Sequence, residues 1–112
     1  YNFEGKEFDI GNKYSIYGTS INYLLDQNIL SLPDYIKIDV DGIEHLILQG
    51  ADNYLKKPKI KGMMIEINEN FKDQLESVLS IMTKNNFLYS FKDQSSGTGD
   101  FSKTYNYFFN KI

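Results

Sequence analysis

Tyr35-Ile36-Lys37-Ile38-Asp39-Val40 runs directly into Asp41-Gly42-Ile43-Glu44. The first six residues are mostly β-branched or aromatic, which predicts a strand. Asp41-Gly42 is turn chemistry and ends it. After the turn, Ile43, Leu46 and Ile47 recur at spacings of three and one, and Ala51, Tyr54 and Leu55 repeat the pattern beyond Gly50. That periodicity predicts a helix interrupted at Gly50. A strand that turns into a helix is the building unit of an α/β fold.

Working outward, Tyr14 to Tyr17 alternates and predicts a short strand. Ser20 is placed to cap a helix carrying Ile21, Leu24 and Leu25, which Pro33-Asp34 separates from the central strand. Downstream, Lys56 to Lys61 is a loop holding Pro58. Met63-Met64-Ile65-Glu66-Ile67 is a nearly continuous apolar run, the pattern of a strand buried on both faces. Asn70 is a candidate cap for a helix whose Phe71, Leu75, Val78, Leu79 and Met82 share one face. Asn85-Asn86 ends it. Phe87 to Phe91 and Tyr105 to Phe109 predict two more strands, joined by a turn-forming loop from Lys92 to Lys103. Two strand–helix units imply parallel strands with flanking helices. The last two strands have no helix between them and are expected to pair antiparallel.

Composition narrows the function classes. The 112 residues make one domain. Hydrophobic residues are 41% and aromatic ones 15%, enough for a packed core. There is no cysteine, so thiol catalysis, disulfides, iron–sulfur clusters and thiolate zinc sites are excluded. A single histidine, His45, excludes a His-rich metal site. All 12 basic residues are lysine, which leaves no guanidinium fork for phosphate or carboxylate. The net charge of -3 argues against a nucleic-acid partner and against a polybasic membrane anchor. No apolar run approaches the roughly 18 residues of a membrane span, and the start does not read as a signal peptide. A soluble cytoplasmic protein is the expectation.

The chemistry gathers at the central stretch. Asp39, Asp41 and Glu44 lie at the C-terminal end of a predicted strand, the edge where α/β sheets bind ligands. Asp39 inside a strand is costly unless paired or solvated. Glu66 ends the neighbouring strand on the same edge, so its carboxylate is expected to converge there. Lys37 shares a strand face with Asp39 and is a candidate for pairing with it. His45 is kept as a candidate because its ordinary pKa lies near neutrality. A bland reading stands beside these: Asp41 and Glu44 shape a turn and a helix start, Glu66 is a structural carboxylate, and Lys37 and His45 are surface residues. Tyr105 and Tyr107 offer an aromatic ledge for a sugar, or edge-strand packing.

Three motif readings compete. A calcium-binding EF-hand loop with Gly42 at position six puts Lys37 at position one and Leu48 at position twelve, where carboxylates are required. That reading fails. The pattern apolar strand–Asp39-x-Asp41-Gly42 resembles haloacid-dehalogenase-like phosphatases, with Asp39 as nucleophile and Asp41 as acid/base. That family expects Ser or Thr at the end of a later strand, and here Ile67 is followed by Asn68-Glu69.

The longest match is the third. Pro33-Asp34-Tyr35-Ile36-Lys37-Ile38-Asp39-Val40-Asp41-Gly42-Ile43-Glu44, followed by Leu48-Gln49-Gly50-Ala51, resembles the FkbM family of S-adenosylmethionine-dependent methyltransferases. Ile65-Glu66-Ile67 matches a later strand of that pattern, and Thr19-Ser20-Ile21-Asn22-Tyr23-Leu24 sits where an upstream segment belongs. Asp41 replaces a usual glutamate, and Asn22 replaces a usual aspartate. The resemblance implies a Rossmann-like methyltransferase fold, with strands four to seven of its sheet present here. It implies O-methylation of a hydroxyl on a sugar or other small acceptor. Asp39 would face cofactor and acceptor as base, positioner or metal ligand. Asp41 and Glu44 would support it or share a divalent cation with it, and Glu66, Lys37 and His45 would line the acceptor side. The family's glycine-rich cofactor turn has no counterpart in the sequence, and the first residue is Tyr1. The chain is therefore expected to be the C-terminal half of such a methyltransferase, inactive alone. A non-catalytic interaction module, dimerising through an exposed sheet edge, is the alternative.

Overall fold

The computed structural model describes residues 15–94 and 102–112. The Ser20 side chain accepts a hydrogen bond from the Tyr23 N–H at 3.1 Å, which starts α1 (Ile21–Asp26). A hydroxyl there satisfies one of the free donors of the first turn. Residues 15–17 form no strand, and Tyr14 lies outside the described residues.

The central strand, β1 (Tyr35–Ile38), is shorter than the pattern predicts. The chain leaves the ladder after Ile38 and reaches Asp41 and Gly42, whose φ angles are 53° and 115°. Gly42 adopts a conformation that a side chain would strain. α2 (Glu44–Gln49) follows and ends at Gly50, after which the chain continues in turns as far as Lys56. β2 (Gly62–Asn68) leads to α3 (Lys72–Lys84). Asn70 is not the cap of α3: Phe71 holds that position with no side-chain bond. Instead, the Asn70 N–H donates to Asn68 Oδ1 at 3.0 Å, so the asparagine before it shapes the turn. α3 ends at Asn85, with Asn86 at φ 67°. β3 (Phe87–Gln94) and β4 (Thr104–Lys111) both extend beyond their predicted ends, shortening the predicted Lys92–Lys103 loop. The glycines of that loop lie outside the described residues.

The four strands form one mixed sheet in the order β1-β2-β4-β3. β1 and β2 are parallel; β2–β4 and β3–β4 are antiparallel. The expected antiparallel pairing of the last two strands is present. Tyr105 and Tyr107 are therefore on an interior strand, not an edge as the sequence reading had it.

Alternation divides the sheet into two faces. Ile38, Ile65, Ile67, Tyr107 and Phe109 point to one face and join Leu48, Val78 and Met82 in the core. α2 and α3 cover that face, and Leu48, Leu55 and Ile65 are fully buried. Met64 and Glu66, between the buried positions of β2, are only half-buried. β2 is thus buried on one face, not two as its apolar run predicts. The open face carries Tyr35, Met64, Phe91 and Phe108 around a groove, with the Phe91 and Phe108 rings stacked at 4.4 Å. Among the described residues no helix is long and apolar enough to cross a membrane.

Candidate functional site

The parallel pair sets the site. Lys37 lies opposite Met64, so Asp39, two residues on, falls beside Glu66 on the open face. The left-handed Asp41–Gly42 turn then brings Asp41 back to the same edge. One carboxylate oxygen from each of Asp39, Asp41 and Glu66 lies within 4.8 Å of the other two. Asp39 and Asp41 are exposed and Glu66 is half-buried.

Glu44 has a different position. Its side chain is buried at 4% exposure, and Oε1 accepts a hydrogen bond from the Gly42 N–H at 3.0 Å. Burial pushes its carboxyl above the usual range. The N–H groups of Glu44 and Gly42 oppose that shift, while the charges of Asp41 and Asp39 add to it. Glu44 thus braces the turn from beneath, and Asp39 and Asp41 stand in front of it. Beside it is a cavity of about 10 Å³, walled by Asp41, Glu44, Glu66, Asn68, Phe71 and Thr104. That is room for one water-sized sphere. The Thr104 hydroxyl is buried there and has no hydrogen-bond partner among the described residues.

Two sequence candidates stand apart. Lys37 is exposed and takes part in none of the ion pairs among the described residues. His45 belongs neither to the carboxylate group nor to the cavity wall. Its Nδ1 is buried with no hydrogen-bond partner among the described residues, and burial lowers its pKa. Both tyrosines point to the helix-covered face rather than forming a ledge on the open one. The Tyr107 hydroxyl donates to Glu69 Oε2, which Lys92 Nζ also reaches at 2.7 Å. Lys92 Nζ sits 4.4 Å from the Tyr105 ring centroid. Sequence reasoning missed Thr104 and Glu69. Thr104 lay one residue outside the predicted strand, and the Glu69 contacts join segments 38 residues apart.

Asn22 also finds its explanation here. Its Nδ2 donates to Asp52 Oδ1 at 2.7 Å, and its Oδ1 accepts from the Asn53 N–H at 3.2 Å. An aspartate could make only the second bond and would face the Asp52 carboxylate. The asparagine therefore ties α1 to the turns after α2.

A mixed α/β sheet with a carboxylate-lined edge beyond its parallel strands fits a Rossmann-like transferase. The chain belongs to the FkbM methyltransferase family: the sequence model of the methyltransferase FkbM domain matches residues 5–89. Neither the curated proteins nor the solved structures gave a match. Methyltransferases of this family use S-adenosylmethionine.

Proposed function

We propose that this domain serves O-methylation of a small-molecule or sugar hydroxyl, and that its described strands form the acceptor side of the fold. One observation carries the reading: in an FkbM domain, Asp39, Asp41 and Glu66 converge within 4.8 Å at the C-terminal edge of the parallel strands. The sheet order supports it. By the family resemblance, β1, β2, β3 and β4 are the fourth to seventh strands, and β1 is the outer strand of the sheet among the described residues.

The donor set suits the positively charged sulfonium and ammonium of S-adenosylmethionine, since carboxylates attract both. The described residues offer no glycine-rich turn for the rest of that molecule. When bound, S-adenosylmethionine supplies an electrophilic methyl group. Asp39 is at the exposed front of the edge, where its carboxylate can accept the proton of an acceptor hydroxyl. Glu66 and Asp41 flank that position, where their carboxylates can accept hydrogen bonds from other hydroxyls of the acceptor. Glu44 keeps the turn in place through the Gly42 N–H.

In the protein that carries this domain, Asp39→Asn is expected to lower methyl transfer to a panel of hydroxyl acceptors by roughly 100-fold or more, the usual worth of a positioned base. Mass spectrometry of the acceptor reads the methyl gain, and an unchanged rate would overturn the role. The isolated chain is expected to bind S-adenosylhomocysteine more weakly than micromolar; tight one-site binding in a calorimeter contradicts the acceptor-side assignment. The outer edge of β1, which pairs with no other strand among the described residues, favours one second reading, an interaction module that dimerises strand to strand. Light scattering tests it, and a monomer at all concentrations removes it.

A further inference from the structure

We infer that the acceptor site continues from Glu66 across the sheet to Asn106 and Asp93, and that it takes an oligosaccharide of at least two sugar units with no anionic group. The inference rests on the reading of the carboxylate edge as the acceptor site and deepens it by naming the acceptor class. Register carries the placement. Asn106 lies opposite Glu66, and Asp93 lies opposite Asn106. Residues directly opposite one another share a face. Glu66, Asn106 and Asp93 therefore stand side by side on the open face, with Asp39 on the far side of Glu66. Strands lie about 4.8 Å apart, so this polar row runs roughly 14 Å across the four of them. One sugar ring is too short to reach both ends.

The chemistry of the row selects the ligand. Its carboxylates accept hydrogen bonds from hydroxyls, and the Asn106 amide both accepts and donates. No lysine stands in the row and the chain has no arginine, so a phosphate or carboxylate on the acceptor would be repelled. Phe91 precedes Asp93 by two residues on the same face, about 7 Å along the strand. Its half-exposed ring, stacked on Phe108, offers apolar surface to the C–H face of a sugar. Polar rows on sheets are common, and two unpartnered side chains set this one apart. Asn106 Oδ1 is buried with no hydrogen-bond partner among the described residues. Thr104, two residues along the same strand, is 4% exposed, and its hydroxyl also has none. It borders the single-sphere cavity that Asp41 and Glu66 help to wall. Buried polar atoms without partners are rare, because each costs the desolvation it has not recovered. Sugar hydroxyls donate and accept, so one ligand class serves the amide oxygen, the threonine hydroxyl and the carboxylates together. The methyl transfer stays at Asp39; Asn106 and Asp93 set which acceptor is held there.

The test uses the isotope-labelled chain with no S-adenosylmethionine. It is therefore independent of methyl transfer, and its failure would leave the methyltransferase reading standing. Nuclear magnetic resonance titrations use three neutral disaccharides (cellobiose, maltose and diacetylchitobiose), glucose, and glucose 6-phosphate. At least one disaccharide is expected to shift the amide signals of Glu66, Asp93 and Asn106 and the Asn106 side-chain amide, and to saturate. Glucose should bind at least tenfold more weakly, and glucose 6-phosphate should shift nothing in the row. Asn106→Ala should weaken the disaccharide about tenfold, as loss of one buried hydrogen-bonding group does. Asp93→Ala, at an exposed position, should weaken it severalfold and repeats the test if Asn106→Ala disturbs the spectrum. Glu76→Gln on α3 should change nothing. No shift with any disaccharide, equal affinity for glucose, tightest binding of the phosphorylated sugar, or affinity indifferent to both row variants would overturn the inference.

Discussion

On one face of the sheet Ile65 has no exposed surface and sits in the core with Leu48, Val78 and Met82. On the other face its neighbours Met64 and Glu66 are only half-buried, beside an exposed Asp39 and an apolar groove. The same four strands therefore do two different things. Covered positions hold the fold through apolar burial, and open positions carry the groups able to meet a ligand. Changes on the covered face should cost stability, and changes at the open edge should cost chemistry while leaving the fold intact.

The largest stability effect is expected from Leu48→Ala, which removes a fully buried side chain between α2 and the sheet. A loss of about 2–5 kcal/mol is expected in urea unfolding. A loss below 1 kcal/mol would mean that the two faces differ less than their burial indicates. Gly42→Ala comes next, at about 1–3 kcal/mol, because φ 115° strains any side chain. It should also disturb the Glu44 contact, so it crosses the comparison by affecting both fold and edge. Asn22→Asp should cost about 1 kcal/mol by losing the bond to Asp52 and facing its charge. Pairing it with Asp52→Asn should recover most of that loss. Phe91→Ala removes a stacked but half-exposed ring on the open face, and about 1 kcal/mol is expected.

The smallest effect is one of pH. Burial pushes the Glu69 carboxyl up, but hydrogen bonds from Lys92 and Tyr107 outweigh it and leave the pKa below its usual value. A depressed carboxyl contributes stability that is fully present above the unfolded pKa and lost as pH falls through the folded one. Glu69→Gln should therefore flatten the acid side of the stability profile by less than about 1 kcal/mol, as partly exposed pairs do. It should leave stability above neutral pH nearly independent of pH. Melting curves from pH 3 to pH 7 read this, and an unchanged acid slope would show that the Glu69 contacts contribute nothing.

Much of the fold was legible because its signals are local. Ser20 caps α1, Asn85 and Asn86 close α3, and the Asp41-Gly42 pair makes the turn between β1 and α2. Each depends on residues within a turn of one another. The family, too, was legible from Lys37 to Glu44 with Gly50 and Ala51. What could not be read is non-local. Nothing in the run Met63 to Ile67 says that helices cover only one of its faces, since apolar content does not report where the next layer sits. The insertion of β4 between β2 and β3 is likewise a pairing of distant segments, and it moved Tyr105 and Tyr107 from an expected edge to the interior. At the site, Asp39, Asp41 and Glu66 were found as residue types, because carboxylates at strand ends are conspicuous. Thr104 was not, because a threonine in a strand is ordinary until its hydroxyl is seen to lack a partner.

The central claim is that ligand chemistry belongs to the Asp39–Asp41–Glu66 edge and not to the rest of the surface. The most direct test is a nuclear magnetic resonance titration of the labelled chain with millimolar S-adenosylmethionine. Shifts confined to Asp39 through Glu44 and Glu66 through Asn68 are expected, even where affinity is too weak for calorimetry. Shifts centred on the open-face groove around Tyr35, Met64, Phe91 and Phe108, with the carboxylate edge silent, would contradict the account.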